Sequence, residues 1–148
     1  MWPEVRKAWD DNFLAAVEHR KYYFDSIRRY LLRHRPKYFR WHVSGDILSQ
    51  DYFDHMLNIA QDYFFVQFLV FTKNYNLSIP NTLPYNLSLI FSAWPGVKLP
   101  TTSHPIAFIE HPKEKRTHNV VRCPGHCETC RACWSARETG HNILLPLH

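Results

Sequence analysis

Four cysteines fall within eleven residues, Cys123, Cys127, Cys130 and Cys133, with the spacing C-x3-C-x2-C-x2-C. Thiolates are soft ligands that suit zinc and iron–sulfur clusters. Structural zinc sites usually draw two cysteine pairs from separated segments, because two turns must converge on one tetrahedral ion. Four cysteines in a single short loop are more typical of a cubane cluster, which one wrapping loop can surround. Pro124 and Gly125 supply the tight turns that wrapping requires. The spacing therefore predicts a metal centre at 123–134, with a [4Fe–4S] cluster expected and Zn2+ as the alternative. The plain reading is a set of free or disulfide-linked thiols. His118, His126 and His141 stand near enough in sequence to replace one cysteine, although each by itself reads as a surface histidine.

A second group of reactive side chains is scattered. His42, Ser44, Gly45 and Asp46 follow one apolar run, and Thr72 and Lys73 follow another. Ser92 and Trp94 follow a third, and Glu110 and His111 a fourth. If these runs are parallel strands, all of these groups and Cys123 reach one edge of a sheet. That C-terminal edge is where α/β folds bind ligands. His42, Ser44, Gly45, Asp46, Lys73, Ser92 and Trp94 are accordingly the candidate cofactor-binding residues. Taken singly, Asp46 is as well explained as a turn or capping residue, Lys73 as a solvated lysine, Trp94 as core and His42 as a structural histidine. His55, on a helix, has no evident partner and reads as surface.

The elements that must position these groups follow from periodicity. Pro3 and Glu4 open a helix with Val5, Ala8, Trp9, Phe13 and Val17 at helical spacing. A second helix is expected from Tyr22 to about Arg33, with Phe24, Ile27, Tyr30 and Leu31 on its apolar face. It ends at Arg35 and Pro36. Tyr38 to Val43 alternates and reads as a strand. Ser49 caps a helix whose buried face is Tyr52, Met56, Ile59 and Ala60. Val66–Phe71, Leu87–Phe91, Ile106–Ile109, Val120–Val121 and Ile143–Leu145 complete the strands. This order predicts one α/β domain over residues 1–148. Its sheet is partial and mostly parallel, like an incomplete β/α barrel, with N-terminal helices and a C-terminal cysteine-rich loop. The Pro-rich connections after Lys73 leave part of the sheet without covering helices.

Composition bounds the function classes. The chain is 148 residues long, 45% hydrophobic and 21% charged, enough to bury a core. The net charge is +5 and the pI about 9.1. That balance permits a nucleic acid or an acidic host protein as partner. Local basic concentrations occur at Arg28, Arg29, Arg33, Arg35 and Lys37, and at Lys113, Lys115 and Arg116, and read as solvated surface ahead of a specific nucleic-acid stripe. The N-terminal sequence has no apolar leader segment, and the run from Tyr63 to Phe71 is about half a membrane span. A soluble protein of the cytoplasm is expected, with no membrane partner. In that reducing compartment clustered cysteines point to metal or redox chemistry. No H-E-x-x-H motif accompanies them, which disfavours a hydrolytic zinc site.

The residues from Phe39 to Asp46 (FRWHVSGD), Tyr52, Phe71 to Lys73, Ser92 and Trp94, the closing Cys-x2-Cys-x2-Cys-Trp134 and the stretch from Ile143 to His148 carry a resemblance. Together they resemble the phage and plasmid "gene product 88" family, from about Val5 onward. The resemblance implies a mobile-element origin and, for a phage-encoded chain, the host cytoplasm. More distantly, Cys123, Cys127 and Cys130 match the Cys-x3-Cys-x2-Cys motif of radical S-adenosylmethionine enzymes. Ser44, Gly45 and Asp46 resemble the turn with which those enzymes hold the methionine amino group. This similarity implies S-adenosylmethionine as a second cofactor, three cysteines on three irons, and Asp46 on the amino group. In that superfamily the motif follows the first strand; here it follows the fifth. Cys133 offers a fourth ligand, which fits a closed centre that staples the C-terminal segment of a non-enzymatic accessory protein.

Overall fold

The computed structural model describes residues 3–42, 45–94, 96–110 and 119–146. The chain forms two compact units, residues 1–37 and 38–148. The first is a helical hairpin of α1 (Pro3–Glu18) and α2 (Arg20–His34), which pack on each other. They are separated by the non-helical backbone of His19. Arg35 ends α2 in a left-handed conformation (φ 45°), and its N–H bonds the Leu31 carbonyl. Pro36 then excludes a further turn.

The second unit is a six-stranded sheet with every neighbouring pair parallel. Its strands are β1 (Tyr38–Arg40), β2 (Gln67–Thr72), β3 (Leu87–Ser92), β4 (Ile106–Ile109), β5 (Val120–Arg122) and β6 (Asn142–Leu145). The order is β1-β2-β3-β4-β6-β5. The expected mostly parallel α/β sheet is therefore present, open at both edges.

The helix α3 (Gln50–Asp62) joins β1 to β2. Its N-cap is Ser49, whose hydroxyl accepts from the Tyr52 N–H at 3.2 Å, a contact worth about 1 kcal/mol. Tyr52, Phe53, Met56, Ile59 and Ala60 are all buried. The connections from β2 to β3 and from β3 to β4 carry no helix, as the Pro-rich sequence implies. From β5 to β6 the chain passes through a single turn, α4 (Cys127–Cys130), and then α5 (Ala132–Thr139). The sequence reading had only a loop here.

The steps from β1 to β2 and from β5 to β6 run in opposite directions along the sheet. Right-handed crossovers then place α3 and α5 on opposite faces. Side-chain alternation agrees with this. Leu69, Ile90, Ala107 and Ile143 form one buried cluster with Ala136 of α5. Phe68, Val70, Leu87 and Leu89, of opposite parity, are buried on the other face.

The first strand stops at Arg40 rather than running to Val43, because His42 adopts a left-handed backbone (φ 50°) that no strand accommodates. Val43 itself lies outside the described residues. His55 is half-exposed, as expected, but its Nε2 lies 4.0 Å from Asp51 one turn earlier.

Candidate metal centre and the strand-end groups

Because the strands are parallel, Trp41, His42, Lys73, Ala93, Glu110 and Cys123 all follow strands at the same edge. At the β1–β2 end of that edge the groups are brought together. The Asp46 carboxylate accepts from the Ile47 N–H (2.6 Å), the Thr72 hydroxyl (2.5 Å) and the Lys73 N–H (2.7 Å). Thr72 is buried and in turn accepts from the Asn74 N–H. The Lys73 ammonium sits 3.7 Å from the centre of the half-exposed Trp94 ring, a cation–π contact. Ser92 takes part through its carbonyl, which accepts from the Tyr75 hydroxyl at 2.5 Å. His42 Nε2 lies 2.9 Å from the Tyr52 hydroxyl, while its buried Nδ1 has no hydrogen-bond partner among the described residues. Burial holds the His42 pKa below its ordinary value, and the Asp46 charge opposes that shift. Gly45 has a positive φ (97°) with open space around it, so a side chain there is excluded by backbone strain rather than by crowding. Ser44 and His111 lie outside the described residues.

At the β5–β6 end, the N–H of Cys123 bonds the Leu144 carbonyl and so extends the β5–β6 pairing by one residue. Cys123 and Cys133 are partly buried and pack against the cluster around Ile90 and Ala136. The Ser88 hydroxyl donates to the Cys133 carbonyl at 2.8 Å, and the Trp134 indole N–H donates to the Gln67 carbonyl at 3.1 Å. These bonds seat the start of α5 on β2 and β3. Cys127 and Cys130 belong to α4; Cys127 is partly buried as well, and Cys130 is exposed. Two residues in the left-handed region bracket that turn, Gly125 (φ 83°) and Arg131 (φ 53°).

All four cysteines line one shallow, open depression, together with Pro124, His126, Arg131, Ala132 and Trp134. None forms a disulfide. Burial pushes the Cys133 thiol up to about 12; the neighbouring thiols add to this and Arg40 opposes it. Among the described residues, no three His, Cys, Asp or Glu side chains are placed so as to hold a metal ion. The donor set is thus right for a soft metal, and two thiols are seated on the sheet, but the run is not gathered around one point.

Several contributors were not singled out from sequence. The Arg131 guanidinium lies 4.3 Å from the Tyr38 ring centre and donates to its hydroxyl at 3.3 Å. The Tyr38 ring meets Trp134 edge-on. Arg40 lies over Phe71 on the same face. The alternation Tyr38, Arg40 was the available signal, since both residues share one face of β1. His141, the third spare histidine, is nine-tenths buried. It contacts Thr139 Oγ1 and lies 3.2 Å from the Ala132 carbonyl through Nε2, so it is built into α5.

Among the described residues no helix is long and apolar enough to cross a membrane. A family model described as Gene product 88 matches residues 1–98. The match spans both N-terminal helices, α3 and the first three strands. It stops short of the Cys-x2-Cys-x2-Cys-Trp134 stretch and of Ile143 to His148, on which the resemblance had also been read. No curated protein and no solved structure matches the chain, radical S-adenosylmethionine enzymes included.

Proposed function

The chain belongs to the gene product 88 family, and from that premise we propose that it is a phage- or plasmid-type accessory protein carrying a [4Fe–4S] cluster, or else zinc, on its cysteine run. The observation that supports this reading is the shared depression of Cys123, Cys127, Cys130 and Cys133 at the ligand-binding edge of a parallel sheet. Four soft donors fit the group chemically. Binding would draw Cys127 and Cys130 toward the two seated thiols. No side chain of α4 is fully buried, so such a movement sacrifices little packing. The metal would also displace the Cys133 proton, as coordinating ions do. Arg40 opposes the raised Cys133 pKa and Arg131 lines the depression, so both can offset the negative charge of ligating thiolates.

When bound, a fully ligated cluster supplies electron transfer or a structural staple. We favour that closed centre over the S-adenosylmethionine reading. The Asp46 carboxylate, assigned there to a cofactor amino group, accepts three bonds from its own chain.

Anaerobic purification with analysis of iron, acid-labile sulfide and zinc tests the proposal. A brown protein with iron and sulfide in equal amounts supports the cluster, and a colourless one with a single zinc supports the alternative. A chain that takes up neither metal, even after reconstitution, overturns both. Loss of the cluster in Cys133→Ala supports four-cysteine ligation, whereas retention with cleavage of S-adenosylmethionine restores the radical-enzyme reading.

A further inference from the structure

The molecule's positive charge is concentrated in α2 and the three residues that follow it. Residues 20–37 hold seven Lys or Arg and a single acid, Asp25, although the net charge of the whole chain is only +5. The remainder of the protein is therefore close to neutral. Within α2, Asp25 is already engaged by Lys21 at 2.6 Å. Tyr22, Arg29 and Arg33 are all exposed, and their spacing of seven and then four residues aligns them in one stripe. Arg29 lies 5.6 Å from the Tyr22 ring centre and donates to the Ser26 hydroxyl, so the stripe is pre-ordered. The exposed Tyr30 ring flanks it.

We propose that this exposed face of α2 binds single-stranded nucleic acid. Arginines along a helix match the spacing of phosphates, and accessible tyrosine rings offer stacking faces that a single strand can use and a duplex cannot. The stripe from Tyr22 to Arg33 is about 16 Å long, enough for two or three nucleotides. A membrane surface is the weaker fit. An interfacial helix needs a free apolar face, whereas Phe24 and Leu31 on the apolar side of α2 are buried. The inference stands apart from the cysteine run and holds whether or not metal binds.

The test uses the full chain and a fluorescein-labelled oligothymidylate of about 20 nucleotides, followed by anisotropy from about 50 to 300 mM salt. Binding is expected, with log affinity falling linearly in log salt. The double variant Arg29→Gln, Arg33→Gln should lower that slope by about 1.4. Tyr22→Ala should weaken binding on the order of tenfold at every salt concentration and leave the slope unchanged. Thermal unfolding of each variant followed by circular dichroism checks that the fold is kept. Three results would overturn the proposal: no binding at the lowest salt, an unchanged slope in the double variant, or capture by phosphatidylglycerol vesicles without capture of the oligonucleotide. Equal weakening of duplex and single-strand binding by Tyr22→Ala would overturn the single-strand assignment.

Discussion

At the β1–β2 end of the sheet's C-terminal edge, Asp46 draws donors from three residues onto one carboxylate. At the β5–β6 end, the backbone bonds of α4 are local: the N–H groups of Thr129 and Cys130 turn back to the His126 carbonyl, while the Arg131 guanidinium that follows bonds both the Glu128 carbonyl and the Tyr38 hydroxyl. The same edge thus contains one carboxylate satisfied by its own chain and four thiols that line an open depression. Side chains that satisfy each other hold a scaffold, while thiols that form no disulfide carry no such constraint, and the proposed metal centre rests on that contrast.

The largest effect expected of that contrast falls on Asp46. Asp46→Ala leaves the buried Thr72 hydroxyl and two N–H groups without their acceptor and should destabilise the protein by about 3 kcal/mol in urea unfolding. A loss below about 1 kcal/mol would mean that the β1–β2 end is not prebuilt. Next comes the pair that closes the same region. Lys73→Ala and Trp94→Ala should each cost about 0.5–1 kcal/mol, and the double variant little more than either alone.

A smaller effect concerns pH. The folded pKa of His42 is depressed by burial, so the unfolded chain takes up this proton first as pH falls. The stability this neutral histidine confers is complete above about pH 6.5 and declines below it. His42→Asn keeps a residue type tolerant of the left-handed backbone and removes the titration. The urea midpoint should therefore drop less between about pH 7 and pH 5.5 in the variant than in the wild type. His104, depressed by burial and by Arg137, contributes equally to both and leaves the difference intact.

The smallest effect sharpens the other side of the comparison. Cys127→Ser with Cys130→Ser should change the stability of chelator-stripped protein by less than about 1 kcal/mol, since Cys130 is exposed and Cys127 only partly buried. In metal-loaded protein the same double variant should abolish the metal-dependent rise in thermal midpoint. A large loss in stripped protein would show that the turn is structural without metal.

Strands β2, β3, β4 and β6 were legible because their apolar runs are bounded by Gly, Pro, Asn or charged residues. Ile106–Ile109 has the expected ends. The parallel edge followed from their order alone. The first strand was overextended because alternation through His42 and Val43 says nothing about a positive φ. α5 went unread because Cys133 and Trp134 were absorbed into the cysteine motif. Its C-terminal signal, Gly140 with φ 67°, was nonetheless present. The contacts that fix the sheet from the other edge were not legible. Asn86 Nδ2 donates to the carbonyls of Ala60, Tyr63 and Val66, and Arg137 donates to those of Leu83, Pro84 and Leu87. Each joins residues at least 20 positions apart in sequence, beyond the reach of any local pattern.

The place of β6 has a consequence for biosynthesis. This strand follows the cysteine run in sequence, yet it lies inside the sheet, between β4 and β5. Among the described residues β5 pairs with β6 and with no other strand. A nascent chain that has reached Cys133 therefore holds four paired strands and one with nothing to pair with. Only when Asn142–Leu145 leaves the ribosome can β5 dock. Cys123, which directly follows β5, thus joins the sheet's edge only after the whole cysteine run has been synthesised.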